Sequence, residues 1–271
     1  MVFFDSHCHL QDADFAADRK AVFERARLAG VQYFMLPAST LEDSATALEL
    51  ALSEENCYSA IGLHPHEAKD WAENTAEELE KIYLRAKRLA SDSGSLLKIR
   101  AYGEIGLDYY YDHSPREVQK QVFRTQLELA HELDLPVIIH EREAFLDCYT
   151  ILKQAKADGL LQKTAGVAHC FSGSAESALL LKDLGFMLGF DGPITYHNAR
   201  RALEVIRRVD ESDLVIETDS PYLSPSPFRG QRNESARIPL IALKMAEIRA
   251  CSLERVAEFT TANAKRLFRI D

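Results

Sequence analysis

Eight short apolar runs punctuate the chain at 2–5, 33–37, 59–63, 101–105, 136–139, 166–168, 186–190 and 214–217. Longer stretches with helical periodicity separate them, at 18–29, 41–54, 76–89, 115–133, 145–156, 175–184 and 199–209. Two further helical patterns, 238–250 and 253–268, follow the eighth run. Runs that are apolar throughout suit parallel strands buried on both faces. Regular alternation of strand and helix implies βαβ units with right-handed crossovers. Eight such units predict a closed α/β TIM (β/α)8 barrel with an additional C-terminal helix, and 271 residues is an ordinary length for one. The whole chain, 1–271, reads as a single domain.

Local punctuation agrees with these boundaries. Gly30 and Gly185 stand where a helix C′ glycine belongs. Ser114-Pro115 predicts an N-cap followed by a first-turn proline, and Ser252 is placed to cap the last helix. With 46% hydrophobic residues the chain can bury a large core. The net charge of −10 argues against broad electrostatic binding of nucleic acid, while leaving room for a small site that accepts phosphate. Five cysteines without a CxxC pair suggest reduced thiols and a cytoplasmic protein. The N-terminal stretch lacks the basic and apolar regions of a signal peptide, and no apolar run approaches membrane-spanning length.

Ligand-type side chains gather where the apolar runs end. FFDSHCHL sets His7 and His9 two apart, so in extended backbone both aim the same way and Cys8 aims away. GLHPH places His64 and His66, GEIGLDY places Glu104 and Asp108, and IIHER places His140 and Arg142. HCFSG begins with His169, and ETDSPYL carries Glu217 and Asp219. Six of nine histidines therefore sit at carboxyl ends of runs, the face where TIM-barrel active sites are built.

Each of these residues has a plainer reading. A carboxylate in a buried strand needs a partner, and for Glu104 we favour a metal over a salt bridge. His140 and His169 alone would be hydrogen-bonded core histidines; within this constellation we favour ligands. Asp219 either caps the Ser220-Pro221 turn or serves as ligand and base, and we favour the second. Asp5 is as well suited to tie a strand end as to join the site. Asp108 reads as an orienting group, and His64 is preferred to His66 as the inward-facing member of its pair. Cys8 and Cys170 read as packing residues, His113 and His131 as surface or packing residues.

The motifs DSHCHL, GLHPH, GEIGLDYYY, IIHERE, HCFSG, ETDSPYL, RGQRNE and ANAKRLF together resemble the TatD family of metal-dependent hydrolases, within the amidohydrolase-like TIM barrels. The resemblance spans nearly the whole chain. It implies two divalent metal ions, one held by His7, His9, Glu104 and Asp219, the other by Glu104, His140 and His169, with Glu104 bridging. It implies a Mg²⁺- or Mn²⁺-dependent deoxyribonuclease, with 3′→5′ exonucleases among its relatives. Two segments depart from the family pattern: 235–237 lacks the usual proline, and 92–100 is longer.

The chemistry that follows is two-metal phosphodiester hydrolysis, with Asp219 and Glu104 as the catalytic carboxylates and Asp219 as general base. His64, Arg142, Arg229 and Arg232 are the candidates to hold substrate phosphate, since arginine forks match phosphate bidentately. Tyr109, Tyr110 and Tyr111 suit either base stacking or packing under their loop. DNA, as single strands or accessible ends, is the expected substrate, with no membrane and no obligate protein partner. Histidine-rich sites also take Zn²⁺ or Ni²⁺ on purification. Two rivals remain: an amide, ester or lactone hydrolase of the same superfamily, and a non-catalytic metal-bound scaffold.

Overall fold

The computed structural model describes residues 1–270. Its strands are β1 (Phe3–Asp5), β2 (Val31–Leu36), β3 (Cys57–Ile61), β4 (Ile99–Asp108), β5 (Val137–Arg142), β6 (Gly166–Ala168), β7 (Phe186–Phe190) and β8 (Leu214–Ile216). Its α-helices are α1 (Arg19–Leu28), α2 (Leu41–Ser53), α3 (Thr75–Ser93), α4 (Arg116–Glu132), α5 (Phe145–Ala157), α6 (Ala175–Leu184), α7 (Arg200–Arg208), α8 (Ile238–Arg249) and α9 (Leu253–Phe268). Strand order follows chain order from β1 to β8. Each expected run and helical pattern corresponds to one of these elements, with ends shifted by a few residues.

The chain divides into two compact units. The first comprises Met1–Leu36, His169–Asp183 and Met187–Asp271. Within it β1 pairs β2 and β7 pairs β8, both in parallel. Phe4 stacks on Tyr33 at 5.6 Å and meets Phe268 of α9 at 5.8 Å. Helix α9 thereby covers the outer side of β1, which explains its apolar face beyond the eighth run. Ser252 caps it, its hydroxyl accepting the Arg255 amide at 3.1 Å.

The second unit comprises Pro37–Ala168 and Leu184–Phe186. Strands β3, β4, β5 and β6 pair successively in parallel. Leu63, Ala68 and Val122 form a buried apolar cluster with Trp71 and Val118 packed against it. Strand β4 runs further than the apolar pattern predicts, through GEIGLD to Asp108, and β5 runs on to Arg142. Gly106 permits this: a Cβ there would overlap the His140 carbonyl, so only glycine lets the two backbones approach. The register then sets Gly106 opposite His140 and Asp108 opposite Arg142.

One cap expectation is corrected. Ser114 does not cap α4, which starts after Pro115 without a side-chain cap. Its hydroxyl instead donates to the His66 carbonyl at 2.7 Å and accepts the Lys69 amide at 3.0 Å. A loop carbonyl and amide within reach outcompeted the helix start.

Candidate metal centre

In the first unit the chain leaves β1 at Asp5 and presents both histidines of HCH to one point. His7 Nε2 and His9 Nε2 lie 3.2 Å apart. Asp219 Oδ1 lies 3.6 Å from the first and 3.5 Å from the second. The His169 ring stacks on that of His7 at 3.8 Å between centroids. His7 is fully buried and His169 nearly so. Two imidazole nitrogens facing each other this closely repel unless a proton or a cation lies between them. Ligand bonds of about 2.0–2.2 Å place neighbouring donors roughly 3.0–3.6 Å apart. The group therefore fits a divalent ion, in both spacing and nitrogen–oxygen chemistry.

Burial pushes the Asp219 carboxyl up, but the hydrogen bond from His9 and the charges of His169, His7 and His9 outweigh it and hold the group below its ordinary value. Glu217, wholly buried, orients His169: its Oε1 lies 3.2 Å from His169 Nδ1 and accepts the Cys170 amide at 2.6 Å. Its Oε2 accepts the Ser6 hydroxyl at 3.3 Å. A ring held by a carboxylate at Nδ1 is the arrangement common among metal-binding histidines, which ligate through the other nitrogen. Glu217 stands against Gly189, where a Cβ would overlap its carboxylate.

Asp5 ties the strand end. Its oxygens accept the Thr218 amide at 2.9 Å and the Thr218 hydroxyl at 2.6 Å, and burial pushes its carboxyl up to about 7. Cys8 is a packing residue, buried with its thiol directed at the Met35 carbonyl. All five cysteines are free.

In the second unit Glu104, His64, His66, Asp108 and His140 cluster at the carboxyl ends of β3, β4 and β5. Glu104 Oε1 lies 2.8 Å from His140 Nδ1 and 3.7 Å from His64 Nε2. Asp108 Oδ2 takes His140 Nε2 at 3.0 Å and His66 Nε2 at 2.8 Å. Burial alone would raise Asp108; hydrogen bonds from His140, the Tyr111 amide and His66 reverse this and hold it far below the usual carboxylate range. An ionised Asp108 only accepts, so His140 carries its proton on Nε2 and turns the Nδ1 lone pair towards Glu104. That edge, a nitrogen and a carboxylate oxygen at contact distance, again suits a cation. His64 differs. Its Nδ1 accepts the His66 amide at 3.2 Å, so the neutral ring bears its proton on Nε2 and is a donor suited to an anion.

The substrate candidates fall into different surroundings. Arg142 is exposed, with its guanidinium over the rings of Tyr110 and Tyr111. Tyr109 packs, its hydroxyl on Asp147 at 2.7 Å and Arg116 over its ring. Arg229 lies over Tyr196 at 4.5 Å. Arg232 is engaged elsewhere: its fork holds Asp18 at 2.8 and 2.9 Å above the Phe15 ring. Glu234 is bound in turn by Arg25, so this loop is fastened to α1. His113 stacks on Tyr111, and His131, exposed, faces the Leu160 carbonyl.

Sequence order alone did not reveal the part played by Glu217. Its burial beside a glycine on the neighbouring strand was the missing signal.

Fold and site together define a (β/α)8 metal-dependent hydrolase. The family model for TatD related DNase matches residues 4–269, and the chain belongs to that family. It is 41% identical over 268 residues to the uncharacterized metal-dependent hydrolase YabD of Bacillus subtilis, covering 99% of both chains. It is 33% identical to a protein of Pantoea ananatis named 3′-5′ ssDNA/RNA exonuclease TatD, covering 98% of both. The crystal structure of YjjV, a TatD homolog from Escherichia coli, superposes with a TM-score of 0.89 at 32% identity, covering 99% of this chain and 98% of that one. Among the described residues no helix is long and apolar enough to cross a membrane.

Proposed function

We propose that this protein is a cytoplasmic, divalent-metal-dependent phosphodiester hydrolase that removes nucleotides from the 3′ end of single-stranded or end-accessible DNA. The observation that carries the reading is the convergence of His7 Nε2, His9 Nε2 and Asp219 Oδ1 within 3.6 Å of one another. The exonuclease name of a relative at 33% identity supports it.

On this reading residues 1–271 act as one hydrolase domain. His7, His9, Glu104 and Asp219 would hold one ion and Glu104, His140 and His169 a second, with Mg²⁺ or Mn²⁺ as the working metals. Bound there, such ions neutralise phosphate charge and make water acidic enough to attack near neutral pH. Asp219, ionised under these conditions, accepts the proton of the attacking water at a carboxylate oxygen. Glu217 and Asp108 keep the rings of His169 and His140 in the orientation the ligands need. His64 donates from Nε2 to a phosphate oxygen, and Arg142 and Arg229 offer guanidinium forks. Arg232 serves the same set indirectly, as the brace of the loop that carries Arg229.

Digestion of end-labelled single-stranded DNA, with Mg²⁺ and Mn²⁺ titrated and a chelator control, tests the proposal. We expect a ladder shortening from the 3′ end that stops on chelation. Intact DNA at every metal concentration, alongside turnover of a simple ester or amide, would overturn it.

A further inference from the structure

We propose that Tyr110, backed by Tyr111 and Arg142, is a stacking platform for an unpaired nucleobase of the substrate strand; this rests on the phosphodiesterase reading above.

Three observations in the second unit carry it. First, Tyr110 and Tyr111 are 54% and 49% exposed, although β4 ends only two residues before Tyr110 at the wholly buried Asp108. Their rings meet edge-to-face at 4.9 Å. Tyr111 is hemmed in by His113, stacked at 5.6 Å, and by His66, edge-on at 5.4 Å. Among the described residues the ring and cation contacts of Tyr110 are Tyr111 and the Arg142 guanidinium, and it presents the more open surface.

Second, the Arg142 guanidinium sits 4.2 Å from the Tyr110 centroid and 4.7 Å from that of Tyr111. Among the described residues it has no carboxylate partner, whereas nearby Arg116 is paired with Asp112. An exposed cation resting on two rings, in a chain of net charge −10, is a local site for a phosphate flanked by aromatic surface.

Third, the platform is rigid and in line with the ligand cluster. Asp108 Oδ1 accepts the amides of Tyr110 at 3.0 Å and Tyr111 at 2.8 Å, while its other oxygen holds His66 and His140. One carboxylate thus fixes both the histidine cluster and the turn that carries the rings. Arg142 follows His140 by two residues on β5, so both side chains leave the same face, about 7 Å apart along the strand. A nucleotide whose phosphate lies at His140 has its neighbouring base within reach of Tyr110. Stacking on an aromatic face is tolerant of base identity and requires the base to be unpaired.

The test compares two ligands that differ only in their bases: a short phosphorothioate oligothymidylate and an abasic oligomer on the same backbone. Fluorescence anisotropy in Mn²⁺ reads binding, and circular dichroism checks the fold. We expect Tyr110→Leu to weaken the base-bearing strand on the order of tenfold, so that preference over the abasic strand collapses. Tyr110→Phe, which keeps the ring, should retain that preference. Equal loss on both ligands, or unchanged preference in Tyr110→Leu, would overturn the platform while leaving hydrolysis intact. Failure of the wild type to cleave either single-stranded DNA or methyl p-nitrophenyl phosphate would instead remove the phosphodiesterase reading, and the platform with it.

Discussion

Asp108 Oδ2 lies 3.0 Å from His140 Nε2, on the ring edge opposite the one that meets Glu104. The carboxylate is wholly buried and fixes the His140 proton on Nε2, turning Nδ1 towards Glu104. Asp108→Asn removes the charge and one of the two accepting oxygens, both of which are in use, while preserving shape. We expect metal affinity, read by calorimetric titration, to fall roughly 10–100-fold. Unchanged affinity would show that the ring is oriented by packing alone.

Glu104→Ala and Asp219→Asn should each abolish hydrolysis of single-stranded DNA while the circular dichroism spectrum stays native. In the wild type, Mn²⁺ at a hundredfold excess over its Kd should stabilise the fold by about 2.7 kcal/mol. His7→Ala should lose most of that shift. Turnover surviving in either carboxylate variant would remove that residue from the catalytic set.

Gly189→Ala places a methyl group against the Glu217 carboxylate. Overpacking of this kind costs about 1–3 kcal/mol, and here it also displaces the group that orients His169. Urea unfolding should show the loss in midpoint, accompanied by weaker metal binding. Loss of stability with metal binding untouched would mean that Glu217 has no hold on the ligand.

Arg232 holds Asp18 well below its usual range, at about 2, with Arg25 adding to the effect. The folded value lies below the unfolded one, so this contribution is present above about pH 4 and is lost as pH falls through about 2. The pair is solvent-exposed, and salt should weaken it. Asp18→Asn and Arg232→Ala should therefore give similar small drops in melting temperature at pH 7, should not add in the double variant, and should vanish at low pH. Additive losses would indicate separate roles.

Much of the architecture could be read from local pattern, because period 2 and period 3.6 are written residue by residue. The apolar runs marked all eight strands, and glycine, proline and serine marked many of the ends. Ligand-type chemistry was legible for the same reason: HCH, GEIGLD and ETD each hold such side chains within a few residues. The polar extension of β4 and β5 was not, since it depends on Gly106 admitting the backbone of another strand. Nor was the fate of Ser114, which chose a loop partner over the helix it precedes.

Sequence by itself determined which elements form and which side chains are chemically able to bind metal. Only the tertiary structure decided how each is used: that Glu217 turns His169, 48 residues away, and Asp108 turns His140, 32 residues away. It likewise decided that Arg232 is spent on Asp18 while Arg142 rests on open tyrosine rings. Ring orientation and charge pairing are set by groups distant in the chain, and their burial makes each partner exclusive.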